Sequence, residues 1–435
     1  MKIFYRSILS ISLAMAGMNA MAMEVTDKFD FFGYARAGVF SSSGDGTMKE
    51  SFGGTDFQKN KLGRFGNEFD VYAEVGLGAD LYQEGDKKVY TQMMFNMWDG
   101  DTDSDTTNEF GWENMNIQFM NFLGMNENVW AGIRQYNKGY VIDMNDFFYW
   151  NGTGIGAGIE GMEVGPGKMS VAILQRDFAG QKYDEDGIYV GGNDANQDSI
   201  NANNFELMYY DLPLWDGGKL ALGYKFLQAN ATNDEIENIG EQDYADGHAV
   251  LIELHQALAN NGWNRTALQY YADGSALQGV TFGKAQDLNG TVDSGWGYAL
   301  RNYGNIPMGD DWELSHAINY AAAEDIELQD GTKGDAASFA ISAKTTYHWS
   351  DITRTYFEAG YFDDEKTEGN SDFDRSGSKL TLGQALSWGR GQPEIRVFAS
   401  YFDSDNDNWD DTANAFENST SDDTWTVGVQ ANLWW

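Results

Sequence analysis

The chain has 435 residues, 67 acidic against 28 basic side chains, a formal net charge of −39 and no cysteine. That balance repels nucleic acid and anionic lipid headgroups, and the lack of thiols excludes a disulfide framework, a thiol nucleophile and a thiolate metal site. Glycine (51) and aromatics (14%) are abundant while proline (4) is scarce, which suits a large sheet joined by tight turns.

In chain order, Met1–Ala22 comes first. Lys2 and Arg6 precede an apolar run from Ile8 to Met18, and the segment closes on Ala20-Met21-Ala22. A charged start, a short apolar run and a small-residue cleavage site predict a secretory signal peptide. The run is too short for a membrane helix. The expected division is 1–22 as signal peptide and 23–435 as one β-barrel domain.

Alternation of period two then recurs along the whole length. Phe29, Phe31, Gly33, Ala35, Ala37 and Val39 oppose Asp30, Phe32, Tyr34, Arg36 and Gly38. Phe69, Val71, Ala73, Val75 and Leu77 oppose Glu68, Asp70, Tyr72, Glu74 and Gly76. Phe339, Ile341, Ala343, Thr345, Tyr347 and Trp349 oppose Ser342, Lys344, Thr346 and His348. Thr353, Thr355, Phe357, Ala359 and Tyr361 oppose Arg354, Tyr356, Glu358 and Gly360. Such segments are strands with two chemically different faces. Between them lie Gly/Asp/Asn/Ser-rich stretches: Ser41–Gly46, Asp99–Asn108, Gly191–Asn204, Asn230–Asp246, Asp363–Asp374 and Asp403–Asp423. Glu84-Gly85-Asp86-Lys87 reads as a tight turn.

The chain ends on Trp425, Val427, Val429, Ala431, Leu433 and Trp435 along one face, with Thr426, Gly428, Gln430, Asn432 and Trp434 along the other. One flank suits hydrocarbon and the other water, as in a transmembrane β-barrel. Mean hydropathy is only −0.50, but barrel strands alternate and so cancel in any averaging window. The length allows roughly 16–20 strands, wide enough for an aqueous channel. A soluble sandwich or propeller is the competing fold, and it leaves the terminal aromatic stripe unexplained.

Parity then places Tyr34 with Arg36, Tyr72 with Glu74 and in phase with Arg64, Trp263 with Arg265, and Trp434 with Gln430 and Asn432, all on the wet side. A salt pore has no use for inward rings. A pyranose does: its apolar face stacks on an aromatic ring while its hydroxyls pair with charged groups. Rings that merely fill gaps under folded loops are the plainer alternative.

The residues also resemble a known family. Phe32-Gly33-Tyr34-Ala35-Arg36, Gly66-Asn67-Glu68 running to Tyr72-Ala73-Glu74, Trp130-Ala131-Gly132, Tyr149-Trp150 followed by Gly156-Ala157-Gly158, Met308-Gly309-Asp310, Ile395-Arg396-Val397-Phe398-Ala399 and Trp434-Trp435 are similar, in order, to the maltoporins. The resemblance implies an all-β, 18-stranded antiparallel transmembrane β-barrel with an inward-folded constriction loop, a homotrimer, and passage of maltose and maltodextrins. It implies that Tyr34, Tyr72, Trp263 and Trp434 form an aromatic slide, that Arg36, Arg64, Glu74, Lys138 and Asp146 form a polar track, and that Phe148 marks the constriction. Lys138 stands where the family has arginine, and Phe148 where it has tyrosine. Asn151 replaces an aspartate. Gly389-Arg390-Gly391-Gln392 is short and lacks an aromatic slide residue, Glu113 lies where an arginine is lost, and Phe110 and Trp112 are the candidates for a ring given to a neighbouring subunit.

Other signals are weaker. Asp403-Ser404-Asp405-Asn406-Asp407 begins like a calcium loop but has Asn408 and Asn414 where glycine and glutamate belong. It and Asp99, Asp101, Asp103 and Asp105 read as solvated loops able to bridge divalent cations to lipopolysaccharide. His248, His255, His316 and His348 form no metal-ligand spacing, and no nucleophile elbow is present. No cofactor and no catalysis are expected. A general or sucrose-selective porin is the nearest rival; a hydrolase, an adhesin or a purely structural barrel are further ones.

Overall fold

The structure is a computed structural model that describes residues 29–43, 56–99, 109–179, 199–230, 245–285, 288, 292–328, 331–407 and 422–435. The expected signal peptide, the aspartates at 101, 103 and 105 and the second half of the calcium-like stretch lie outside the described residues.

The elements run β1 (Phe29–Ser42), α1 (Lys59–Leu62), β2 (Val71–Glu84), β3 (Lys87–Asp99), β4 (Glu109–Met120), β5 (Asn128–Tyr136), the short β6 (Val141–Ile142) and β7 (Phe147–Phe148), β8 (Gly152–Val164), β9 (Gly167–Ala179) and β10 (Ser199–Trp215). They continue with β11 (Gly218–Ala229), β12 (Gly247–Ala257), β13 (Trp263–Asp273), β14 (Val292–Pro307), β15 (Trp312–Leu328), β16 (Lys333–His348), β17 (Thr353–Glu368), β18 (Ser371–Ser387), β19 (Glu394–Asp407) and β20 (Asp423–Trp434). All but β6 and β7 form one 18-stranded sheet. β1 pairs antiparallel with β2 on one side and with β20 on the other, so the sheet closes on itself. Closure removes the exposed edge that an open sheet would present to lipid.

The period-two pattern explains the walls. Leu300, Ile318, Ile341, Phe357, Leu380 and Val397 point outward and are exposed, while Arg301, Asn319, Ser342, Glu358, Lys379 and Arg396, one residue along, are buried inside. All 4 prolines lie near the short-turn rim: Pro166 and Pro393 in connections, Pro307 at the end of β14, and Pro213 between two register shifts of β10 against β11. A residue without an amide hydrogen is tolerated there because the ladder is ending or already broken. Glu84 and Lys87 face each other across the predicted tight turn, with Gly85 at φ 57°, the left-handed region that favours glycine.

Three expectations are corrected. Asp363–Asp374 is not a long loop: Glu368 pairs with Ser371 across a two-residue connection, and both strands run past the apolar belt on polar side chains. Phe69 is not on the outward face, because the strand starts only at Val71. The preceding stretch from Phe57 turns into the barrel, where Phe69 is fully buried with its ring 5.2 Å from that of Phe40. For the same reason Arg64 follows α1 rather than sitting on a strand in phase with Tyr72.

The interior is also fuller than an open aqueous channel. An apolar cluster inside the wall joins Phe57, Leu62 and Phe69 from the first long connection, Met144, Phe147 and Trp150 from the segment 137–151, and Val280 and Phe282 from the connection after β13. The segment 137–151 is tied to inward-facing wall residues: Gln269 donates to the Tyr149 carbonyl (3.0 Å), the Lys225 ammonium to the carbonyls of Trp150 and Asn151 (3.3 and 3.1 Å), and Ser342 to Asn145 (3.1 Å).

Candidate functional site

The wall formed by β20, β1 and β2 brings three of the expected rings side by side. Tyr34 is in register with Trp434, and Arg36 with Tyr72. The Tyr34 and Tyr72 rings are 6.2 Å apart and tilted. Trp434 donates its indole N–H to the Gly391 carbonyl (3.3 Å), so the short 389–392 turn that lacks an aromatic instead seats the last ring of the row. Trp263 enters from the start of β13, edge-on to Tyr303 at 5.7 Å.

Two cavities open beside these rings. One, of about 330 Å³ towards the short-turn rim, is lined by Trp263 and Trp434 together with Arg64, Tyr303, Lys344 and Arg396. The other, of about 680 Å³ towards the long-loop rim, is lined by Tyr72, Glu74, Trp112, Glu113, Lys138 and Phe148. Tyr34 and the charged centre of the site lie between the two groups of rings.

That centre is Glu68. Its carboxylate is 3.1 Å from Arg36, 2.9 Å from Arg64, 3.7 Å from Lys59 and 3.7 Å from Arg396, and almost no solvent reaches it. Burial alone would raise its pKa, but Arg64, Arg36, Lys59 and Arg396 outweigh burial and hold the carboxyl well below the usual range. Arg36 is spent in this network: it forks onto Asp70 at 2.7 and 2.6 Å and its plane lies 5.0 Å from the Tyr72 ring. Arg64 donates to the Tyr34 hydroxyl (2.7 Å). Asp146 accepts from Lys59 (2.9 Å), and Glu74 accepts from Tyr72 (2.7 Å) and Lys138 (3.3 Å). The predicted polar residues thus meet on the inner side. Arg36 is buried behind Tyr72, while Glu74 and Lys138 face the larger cavity.

Sequence reading missed Glu68 as the hub, and it missed Lys59, Tyr303 and Glu394. Lys344, Arg354 and Tyr356 had the right parity, and alternation alone points them into the lumen. Lys59 leaves no such signal, because it sits on a folded-in connection; Glu68 is in phase with Tyr72 but sits on that same connection before β2, where parity does not reveal its four cation partners. Of the two loop candidates, Trp112 lines the larger cavity and Phe110 is exposed.

The first connection is pinned by Lys61, which bonds Asp364 from within the apolar cluster. Burial pushes the Lys61 ammonium down to about 8 against the pull of Asp364. The native state therefore releases this proton near pH 8, whereas the unfolded chain keeps it to about 10.4. Between those values the unfolded state binds more protons, so stability rises with pH, by at most about 1.4 kcal/mol per unit. Urea midpoints measured from pH 7.5 to 10.5 in detergent check this: Lys61→Met should lose that slope, and parallel curves for the two proteins refute it.

The LamB porin profile matches residues 29–435. The chain belongs to the LamB porin family. A maltoporin of Photobacterium profundum is 32% identical over 460 positions, covering 99% of each chain. Maltoporin 2 of Yersinia pseudotuberculosis serotype O:1b is 33% identical over 441 positions, covering 98% of each. Among solved structures, an anion-selective porin from Comamonas acidovorans covers 94% of this chain and 99% of its own at TM-score 0.48 and 11% identity, too distant to bear on function. The protein is therefore a β-barrel channel of the Gram-negative outer membrane, from a family of channels rather than enzymes. No helix among the described residues is long and apolar enough to cross a membrane, and this porin crosses with strands.

Proposed function

We propose that this porin is sugar-selective and passes maltose and maltodextrins passively, down their gradient, along the slide Tyr72, Tyr34, Trp434 and Trp263. The observation that carries the reading is the contiguous row of inward rings on β20, β1 and β2, with Trp263 and Trp434 lining one cavity. Neighbouring rings offer near-equal stacking surfaces, so a saccharide can step from one to the next without a deep trap. Glu74, Lys138, Arg64 and Asp146 supply donors and acceptors for hydroxyls beside the rings. Arg36 holds Tyr72 in place through Asp70 and its own plane. Phe148, on β7, narrows the path beside Tyr72. The protein works as a homotrimer, and its outward belt meets lipid and lipopolysaccharide.

Single-channel current through reconstituted protein tests the slide. Trp263→Ala and Trp434→Ala should each weaken maltotriose block by about 1–3 kcal/mol. Undiminished block in both variants would rule out the slide.

A further inference from the structure

The cavity near the short-turn rim is lined by three arginines, Arg64, Arg354 and Arg396, by Lys344, and by two carboxylates, Asp143 and Glu394. The three arginines are already engaged. Arg354 and Arg396 both reach Glu394, at 2.6 and 3.7 Å, and Arg64 is held by Glu68. Lys344 differs. Among the described residues its ammonium joins no hydrogen bond and no ion pair, and it lies 5.7 Å from the centre of the Tyr356 ring. The carboxylate that could serve it from the wall, Glu358, is taken by Lys379 at 2.6 Å. Lys344 sits on the inward face of β16, in the same cavity as Trp263 and Trp434.

We propose that this cavity is a subsite for a saccharide bearing one anionic substituent, a phosphate ester or a carboxylate, whose charge pairs with Lys344 while its ring stacks on Trp263 or Trp434. The inference rests on the sugar-channel reading above and adds a charge preference to it. An unpaired ammonium in a partly enclosed, ring-lined cavity attracts an anion more strongly than one in open water. The net charge of −39 repels anions from the protein as a whole, but salt screens that field beyond about 8 Å, so a local site inside the lumen acts on its own. A neutral sugar carries no charge to pair with Lys344 and would leave the ammonium uncompensated.

Current block in planar bilayers at low and high KCl tests the proposal, with maltose, maltose 6′-phosphate and inorganic phosphate as probes. At low salt the phosphate ester should block at about tenfold lower concentration than maltose, and the gap should shrink as KCl rises. Lys344→Gln should abolish the gap and leave maltose block within about twofold, whereas Lys344→Arg should keep the gap, which controls for folding. Equal block by the two sugars in the wild type overturns the proposal while leaving the maltodextrin channel standing. A Lys344→Gln variant that loses both sugars equally also overturns it, by making Lys344 a donor to neutral hydroxyls. Inorganic phosphate that blocks as well as the ester shows an anion site without a saccharide and overturns the ring half. Open channels blocked by neither sugar overturn both readings.

Discussion

Replacing Glu68 with glutamine should destabilise the barrel by about 3–5 kcal/mol, because removing one member of a buried charge network strands its partners. Here the partners are Arg36, Arg64, Lys59 and Arg396, and the carboxylate they share is almost wholly shielded from water. Arg64 would lose the anchor from which it donates to Tyr34, so sugar block should weaken together with stability. The pH dependence has a definite sign. Glu68 is depressed in the native state, so its contribution is fully present above about 4.3, the ordinary glutamate value, and is lost as pH falls through the lower native one. Urea titrations at pH 7 and pH 3 measure both effects. A glutamine variant within about 1 kcal/mol of wild type at pH 7, on the order of the median surface ion pair, would show that solvent compensates the network.

Lys379→Met should cost about as much, again roughly 3–5 kcal/mol, and should also open the pore. Lys379 and Glu358 are both fully buried, 2.6 Å apart, and the same ammonium donates to the carbonyls of Gly63 (2.6 Å) and Phe65 (3.0 Å). One side chain of β18 therefore pins the connection that carries Arg64 and Glu68. Without it, Glu358 is an uncompensated buried anion and the connection loses its tether. The single-channel conductance should rise. The double change Lys379→Met with Glu358→Leu should recover most of the stability, since a pair replaced by apolar groups of similar size leaves no stranded charge, but not the original conductance. An unaltered conductance in Lys379→Met would show that the connection is held elsewhere.

The walls were legible because they obey one rule. Tyr34, Trp263, Trp434, Lys344 and Arg354 all fall where odd–even alternation puts them, since a closed sheet leaves each side chain only two solvents to choose between. The folded-in connections obey no period. Phe69 looked like the start of an outward stripe because it precedes Val71 in phase. It belongs instead to a segment directed by ring contacts with the wall, Phe69 against Phe40 and Phe65 against Phe398, the latter from the far end of the chain. Glu68 failed to stand out among 67 acids for the same reason: its importance lies in four cations drawn from the first strand, the first connection and β19. The acidic run from Asp363 misled in the opposite sense. Polarity marked it as a loop, whereas Asp364 faces inward to bond Ser338 (2.6 Å) and Arg375 (2.8 Å), and the strands simply continue past the membrane.

The claim beneath all of this is that a row of inward rings grips carbohydrate. Block of ion current through the single reconstituted protein, titrated with maltose through maltoheptaose and with sucrose, tests it most directly. Block by the maltodextrins should tighten as the chain lengthens and engages more rings, with sucrose weaker than maltotriose. Conductance that is indifferent to every one of these sugars would contradict it and leave a general diffusion pore, and block by sucrose alone would assign the rings to a different sugar.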